Sequence, residues 1–424
     1  MNFSLDPSLP AALDASDTLA PLRSHVVITD PDTIYMDGNS LGRLPAATAQ
    51  RMREVVEQQW GERLIRGWND GWIEAPARLG AKLAHLLGAQ PDEVLIADST
   101  SINLFKLAVA ALRARPQRRR LVSDSLNFPS DLYIFQGILD LLGGGRSLEL
   151  IPSPDGLETR QEDLEKTLGP DTALLSLSHV AFKSAFLYDM QTVTRLAHEQ
   201  GALVLWDLSH SAGALPIDLN GWGVDLAVGC TYKYLNGGPG APAYLYVRRE
   251  LQAELQQPIW GWFGANRPFA FDLDYSPADG MARYQIGTPP VLSLLALEPG
   301  LDLLAEAGVE RLRAKSIQQT AYLLFLFQHW LEPLGFRLGS PLEPERRGSH
   351  FSLRHLEAYR INWALINDPA VRVIPDFRAP DSLRLGIAPL YTSYLDIYRA
   401  ADRIRLVTEN KTYLNAPAQQ TRVT

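Results

Sequence analysis

Lys233 stands in the stretch "CTYKYLNGGPG" (Cys230–Gly240), which begins in the apolar run "DLAVGC" (Asp225–Cys230). A lysine on the end of a buried strand either snorkels to water or acts as a reagent. Asp207 closes another apolar run, "ALVLWD", 233 − 207 = 26 residues earlier, and His210 follows it by three. A carboxylate in that setting is poorly solvated and needs a cationic partner. A protonated pyridine nitrogen is one such partner; a structural salt bridge or a loop cap is the alternative. Two further apolar runs end in polar residues. "EVLIA" leads into "DSTSIN", with Thr100 and Ser101 where a helix begins. Hydroxyls and free N–H groups there form an anion site, although an ordinary helix cap needs only one such residue. "RLVSD" leads into "SLNFPSD". Phe128 precedes a proline, which biases it toward an extended conformation. Ser130 and Asp131 open the following helix. An aromatic, a hydroxyl and a carboxylate there could stack on and orient a flat ring, or simply cap a helix behind a hydrophobic residue.

Taken together, these are the parts that pyridoxal phosphate requires. A lysine forms the Schiff base, an acid keeps the ring nitrogen protonated, a helix N-terminus binds the phosphate, and an aromatic covers the ring.

The elements that must position these groups alternate along the chain. Strands are expected at Glu93–Ala97, Arg120–Asp124, Thr172–Ser178, Ala202–Asp207, Asp225–Cys230 and Ala243–Val247. Helices are expected at Ile102–Arg113, Ser130–Leu142 and Met190–Gln200. Continuous apolar strands alternating with helices predict a mostly parallel α/β sheet covered on both faces. Ligands of such sheets bind beyond the carboxyl ends of the strands. After Pro299 comes a long amphipathic helical region, then "GSHFSLRH", "VRVIPDF" and "SLRLGI", which read as short strands. The expected organisation is an irregular N-terminal segment (1–50) packed on the small domain or on a dimer partner, a large domain (51–309), a smaller α+β domain (310–414) and a loose tail (415–424).

Composition narrows the class. The 424 residues include 46% hydrophobic and 21% charged residues, an ordinary globular balance. A net charge of −8 argues against nucleic acid as a partner. The single cysteine, Cys230, excludes a disulfide framework and any Cys-rich metal set, and fits a reducing cytoplasmic setting. No signal peptide and no membrane-spanning apolar run is expected.

The stretches "YMDGNSLGRLP", "NFPSDLY", "WDLSHSAGALPIDLNGWGVD", "TYKYLNGGPG", "GWFG" and "APLYTSY" together resemble the kynureninases, pyridoxal-phosphate hydrolases of tryptophan catabolism and NAD biosynthesis. The resemblance runs in order from Tyr35 to Tyr394. It implies the fold type I architecture of aspartate aminotransferase and a homodimer with shared active sites. It also implies hydrolysis of L-kynurenine, or its 3-hydroxy derivative, to anthranilate, or 3-hydroxyanthranilate, and L-alanine. By motif position Lys233 is the Schiff-base lysine, Asp207 pairs with the ring nitrogen, and Phe128 covers the ring beside Ser130 and Asp131. Thr100, Ser101 and Tyr232 fall at phosphate and cofactor contacts, with Ser178 and His210 in the pocket. Tyr232 is either a proton shuttle or only a phosphate ligand. Trp262 and Thr288 are implied to come from the neighbouring subunit. Arg384 of "SLRLGIAP" is implied to bind the substrate α-carboxylate, with Ser40 and Trp68 near the substrate. Thr288 and Trp68 stand where some relatives have asparagine and histidine, which bears on the preferred ring substituent. The remaining histidines, His350 among them, read as surface or packing residues. A cysteine desulfurase would need a nucleophilic cysteine on a mobile loop, and Cys230 lies on an expected strand. An aminotransferase lacks the "GNSLG" and "FPSD" motifs.

Overall fold

A computed structural model describes residues 3–417; of the expected tail at 415–424, residues 418–424 lie outside them. The N-terminal segment is more ordered than its Pro-, Asp- and Ser-rich composition suggests. It forms a helix at Leu9–Ser16 and a strand, β1, at Thr33–Tyr35.

Seven strands then build the central sheet: β2 (Val94–Ile96), β3 (Arg120–Asp124), β4 (Ser147–Ile151), β5 (Thr172–Ser178), β6 (Leu203–Asp207), β7 (Leu226–Gly229) and β8 (Tyr244–Val247). Their order is β2-β8-β7-β6-β5-β3-β4. Only β8 runs against its neighbours. Because β8 is antiparallel to both β7 and β2, the carboxyl ends of β2, β3, β5, β6 and β7 all reach the same edge. Both faces are covered. Val204 and Trp206 of β6 enter one hydrophobic core, and Leu203 and Leu205 enter the other. That double burial is why these strands read as unbroken apolar runs. β4 escaped the sequence pattern because it is an edge strand, half exposed, with a glutamate at its centre.

The helical region after Pro299 is two helices, Glu298–Ala307 and Val309–Leu326, broken at Gly308. Gly308 has φ +77°, which glycine alone adopts without strain, and its N–H closes on Leu304 O at 3.0 Å. Beyond them lie β9 (Arg337–Leu338), β10 (His350–Arg354), β11 (Arg372–Ile374), β12 (Asp376–Arg378) and β13 (Ser382–Gly386). Four of these form an antiparallel sheet in the order β12-β13-β10-β9. β11 instead pairs in parallel with β1. Ile34 and Met36 therefore share a core with Phe351, Leu353, Leu383 and Leu385. The two carboxylate oxygens of Asp14 accept from Tyr394 N (2.7 Å) and Leu395 N (3.0 Å), at the start of the helix Tyr394–Glu409. No helix among the described residues is long and apolar enough to cross a membrane.

Candidate active site

The expected residues converge on one cavity of about 220 Å³ at the carboxyl edge of the central sheet. Thr100, Ser101, Phe128, Ser130, Asp131, Asp207, His210, Tyr232, Lys233, Ser40 and Arg384 all line it.

The helix at Thr100–Ala114 is capped by Ser99, whose Oγ accepts from Ile102 N at 3.4 Å. The cap is thus supplied one residue earlier, and Thr100 and Ser101 are left facing the cavity. The turn before it is pinned from inside the protein. Asp98 adopts φ +51°, and the fully buried Lys106 bonds both its carboxylate and Tyr284 O, each at 2.7 Å. Asn103 Nδ2 holds Ala97 O at 2.7 Å.

After β3, Asn127 fixes the turn that presents Phe128. Its Oδ1 accepts from Phe128 N (2.8 Å) and from Ser178 Oγ (2.7 Å). Ser178 therefore stands behind the cavity wall and supports the turn. Phe128 leans edge-on against Phe182, ring centres 5.3 Å apart.

Asp207 ends β6. Ser209 donates to its Oδ1 through both N (2.8 Å) and Oγ (2.6 Å). Burial pushes the Asp207 carboxyl up from its ordinary range, against the pull of Ser209 and the Lys233 charge. Asp131 is pushed up further, by burial and then by the charge of Asp207. Burial disfavours the charged form of both acids, and a cation brought against either, such as a protonated ring nitrogen, would favour it again.

The Lys233 loop is held by its backbone. Gly42 N donates to Tyr232 O at 2.8 Å, and Asn236 N to Lys233 O at 2.9 Å. A Cβ on Gly42 would lie 2.3 Å from Lys233 O, so the second glycine of "GNSLG" is fixed by this close approach. Lys233 Nζ lies 3.3 Å from His210 Nε2. Burial, with the neighbouring Lys233 charge, holds His210 well below the usual imidazole range, so it is neutral. His350 is also in this environment. It is fully buried, its ring lies 5.4 Å from that of His210, and neither nitrogen has a hydrogen-bond partner. Burial pushes the Tyr232 phenol up, so it is protonated at neutral pH. Cys230 is buried and its thiol is pushed up by burial, the reverse of what a nucleophilic cysteine needs.

Arg384 faces the cavity from β13 while Leu383 and Leu385 enter the core behind it. Burial pushes its guanidinium down to about 10, still charged at neutral pH. It pairs with Asp376 on the adjacent strand. Asn39, Phe182, Ser209 and Arg378 also line the cavity and were not singled out from the sequence. Ser209 lay inside a recognised motif. Asp376 and Arg378 alternate on a strand one hairpin before Arg384, and only the pairing of β12 with β13 brings them to it.

Trp68, Trp262 and Thr288 do not line this cavity. Trp68 packs against Trp72 and Phe263, at 5.5 and 6.0 Å between ring centres, and Trp262 packs on Phe263 at 4.3 Å. Thr288 is exposed.

Residues 312–404 match the kynureninase C-terminal domain. Kynureninase of Pseudomonas fluorescens is 44% identical over 413 residues, spanning 96% of this chain and 97% of that protein. The chain belongs to the kynureninase family. Kynureninase of Burkholderia mallei is 43% identical and covers 97% of each chain. The membership bears out the resemblance carried by the motifs, with the pyridoxal-phosphate-dependent hydrolase class that it implies. Among solved structures, an apo cysteine desulfurase from Thermococcus onnurineus NA1 superposes with a TM-score of 0.77 at 18% identity, covering 92% of this chain and 98% of its own. A cysteine desulfurase from Escherichia coli gives 0.75 at 17% identity, covering 94% and 99%. At that identity the likeness is one of fold, the fold type I architecture expected for a kynureninase.

Proposed function

We propose that the protein hydrolyses L-kynurenine to anthranilate and L-alanine with pyridoxal phosphate as cofactor. The observation that carries this reading is a single cavity in which Lys233 and Asp207, from two strand ends, face the guanidinium of Arg384 across the cleft. The cavity fits the cofactor part by part. The helix N-terminus at Thr100–Ser101, with Ser130 and Tyr232 nearby, suits the phosphate. Phe128 suits the ring face, and Asp207, held at Oδ1 by Ser209, offers Oδ2 to the ring nitrogen. When bound, pyridoxal phosphate supplies an electron sink for bonds at the substrate α-carbon.

The chain's own residues do the rest. Arg384 and Ser40 hold the α-carboxylate and so orient the α-C–H bond. Lys233 takes the α-proton. His210, neutral and 3.3 Å from Lys233 Nζ, can accept a hydrogen bond from the ammonium formed. Tyr232, kept protonated, can donate toward the substrate carbonyl or to phosphate. One water is consumed. The bond between the β-carbon and the carbonyl carbon breaks, the carbonyl carbon leaves as the anthranilate carboxylate, and the β-carbon takes a proton to give alanine. On mixing with L-kynurenine the protein loaded with pyridoxal phosphate is expected to produce anthranilate fluorescence. No fluorescence and no alanine would remove the reading.

The same reading makes the protein a cytoplasmic homodimer, with residues 51–309 as the large domain and 310–414 as the small one. Support for the dimer comes from apolar side chains left in water. Ile65 is 76% exposed, Phe271 73% and Leu273 102%. Trp262 (42% exposed) lies in the same aromatic cluster as Phe271. Residues of this kind in contiguous patches mark interfaces. In this reading Trp262 and Thr288 complete the partner's cavity, and Trp68 stands at the substrate ring. Subunit exchange tests it. Lys233→Ala mixed with an inactive Trp262 or Thr288 variant gives a heterodimer with one doubly defective and one intact site. Up to about half the activity of a normal dimer is expected to return per heterodimer. No recovery despite proven heterodimers would place all the groups on one chain.

A further inference from the structure

Arg384 does not present an empty fork. Its Nη2 donates to Asp376 Oδ2 and to Ser40 Oγ (3.2 Å), and its Nη1 donates to Phe182 O. The same Asp376 oxygen is shared. It takes Arg378 Nη2 at 3.0 Å and the Ser40 hydroxyl at 3.3 Å. Asp376 and Arg384 are buried, with side chains 2% and 1% exposed, whereas that of Arg378 is 40% exposed and lines the cavity. Two guanidiniums thus share one carboxylate oxygen. The other nearby acid, Asp37, acts by its charge on both guanidiniums; its Oδ1 is buried without a partner, and burial pushes its carboxyl up. Of the five N–H donors of Arg384 three are engaged and Nε–H is buried without a partner, so a new carboxylate meets a fork already partly occupied by Asp376. Arg378 is the group placed to hold it, and it is also the cavity-lining guanidinium that entering substrate can reach.

We propose that Arg378 completes a two-arginine receptor for the substrate α-carboxylate, with Asp376 as the shared counter-ion that orients both guanidiniums. Arg378 is then a specificity residue: it distinguishes an α-amino acid from its uncharged carboxyl derivatives. This rests on the kynureninase reading for the identity of the substrate, but not for the chemistry being recognised.

The test uses the holoprotein loaded with pyridoxal phosphate. L-Alanine and L-alaninamide are titrated into the parent, Arg378→Met and Arg378→Lys, and binding is read from the cofactor absorbance. The parent is expected to bind alanine in preference to the amide once amine ionisation is allowed for. In Arg378→Met alanine should weaken at least tenfold while the amide changes less than threefold, and Arg378→Lys should restore part of the difference. Kynurenine KM should rise in parallel, with kcat within threefold. Equal weakening of both ligands, as a purely structural role would give, overturns the proposal. So does unchanged alanine affinity, or a parent that does not discriminate. A parent that discriminates but releases no anthranilate from kynurenine would overturn the functional reading and leave the receptor standing.

Discussion

Lys233→Ala is expected to keep the fold and lose turnover by more than about 10⁴-fold, because in the proposed mechanism one side chain supplies both the cofactor linkage and the proton transfer. The fold should survive because the loop does not depend on the lysine side chain. Its turn is closed by Asn236 N on Lys233 O (2.9 Å) and Gly237 N on Thr231 O (2.9 Å), and it docks through Gly42 N on Tyr232 O (2.8 Å). All of these are main-chain bonds that alanine retains. Lys233 Nζ lies 3.3 Å from His210 Nε2 and 5.9 Å from the centre of the Tyr232 ring. Removing the Lys233 cation, which lowers both acids, should push Asp131 and Asp207 up further. The check is the visible absorption of the purified protein after addition of pyridoxal phosphate. The band of a lysine-linked cofactor should be absent, while circular dichroism matches the parent. The same band at parental intensity would assign the linkage to another lysine.

Arg384→Ala is expected to lose most of its kcat/KM for kynurenine. Truncating one partner of a buried, hydrogen-bonded charge pair costs about 2–5 kcal/mol, roughly 30- to 4,000-fold. Two effects combine, and they separate in different measurements. In the proposed function the substrate carboxylate loses its deepest cation, which appears in kinetics. Asp376 also loses a buried partner and keeps Arg378 and Ser40, which appears as a lower melting temperature. Arg384→Lys should recover part of the melting temperature but less of the kcat/KM, because an ammonium cannot reproduce the planar fork. The cofactor spectrum should be unaffected in both. Turnover within about threefold of the parent in Arg384→Ala would place the carboxylate site elsewhere in the cleft.

The sequence was most legible where a residue's neighbours in the chain are also its physical environment. Asp207 and Lys233 follow strands buried on both faces, so their apolar runs marked both the sheet and the edge where polar groups gather. Arg384 between two leucines was legible for the same reason: alternation sends it to one side and the leucines to the other. Its partner was not. Asp376 lies eight residues earlier, across a hairpin whose register no local pattern states. His350 is similar: it looks like any histidine on a strand, and only folding sets it against His210. β4 was lost because an edge strand has a weak apolar signature. The strand β1 was lost because it is three residues long and gains its partner only from β11.

That last pairing bears on how the chain is made. Thr33 and Arg372 lie side by side in β1 and β11 although 339 residues separate them. The other buried residues of the core that Ile34 and Met36 enter all lie between Tyr322 and Val407. On a ribosome adding about 5–20 residues per second, the first strand emerges and then waits roughly 20–70 s for its mate. Through that interval the "GNSLG" loop, tethered just beyond β1, lacks its anchor on Gly386, whose N–H closes on Met36 O. The candidate pocket is therefore among the last parts of the nascent protein to be completed. Its first-synthesised wall, at Asn39 and Ser40, meets Arg378 and Arg384, which lie more than about 330 residues later in the chain.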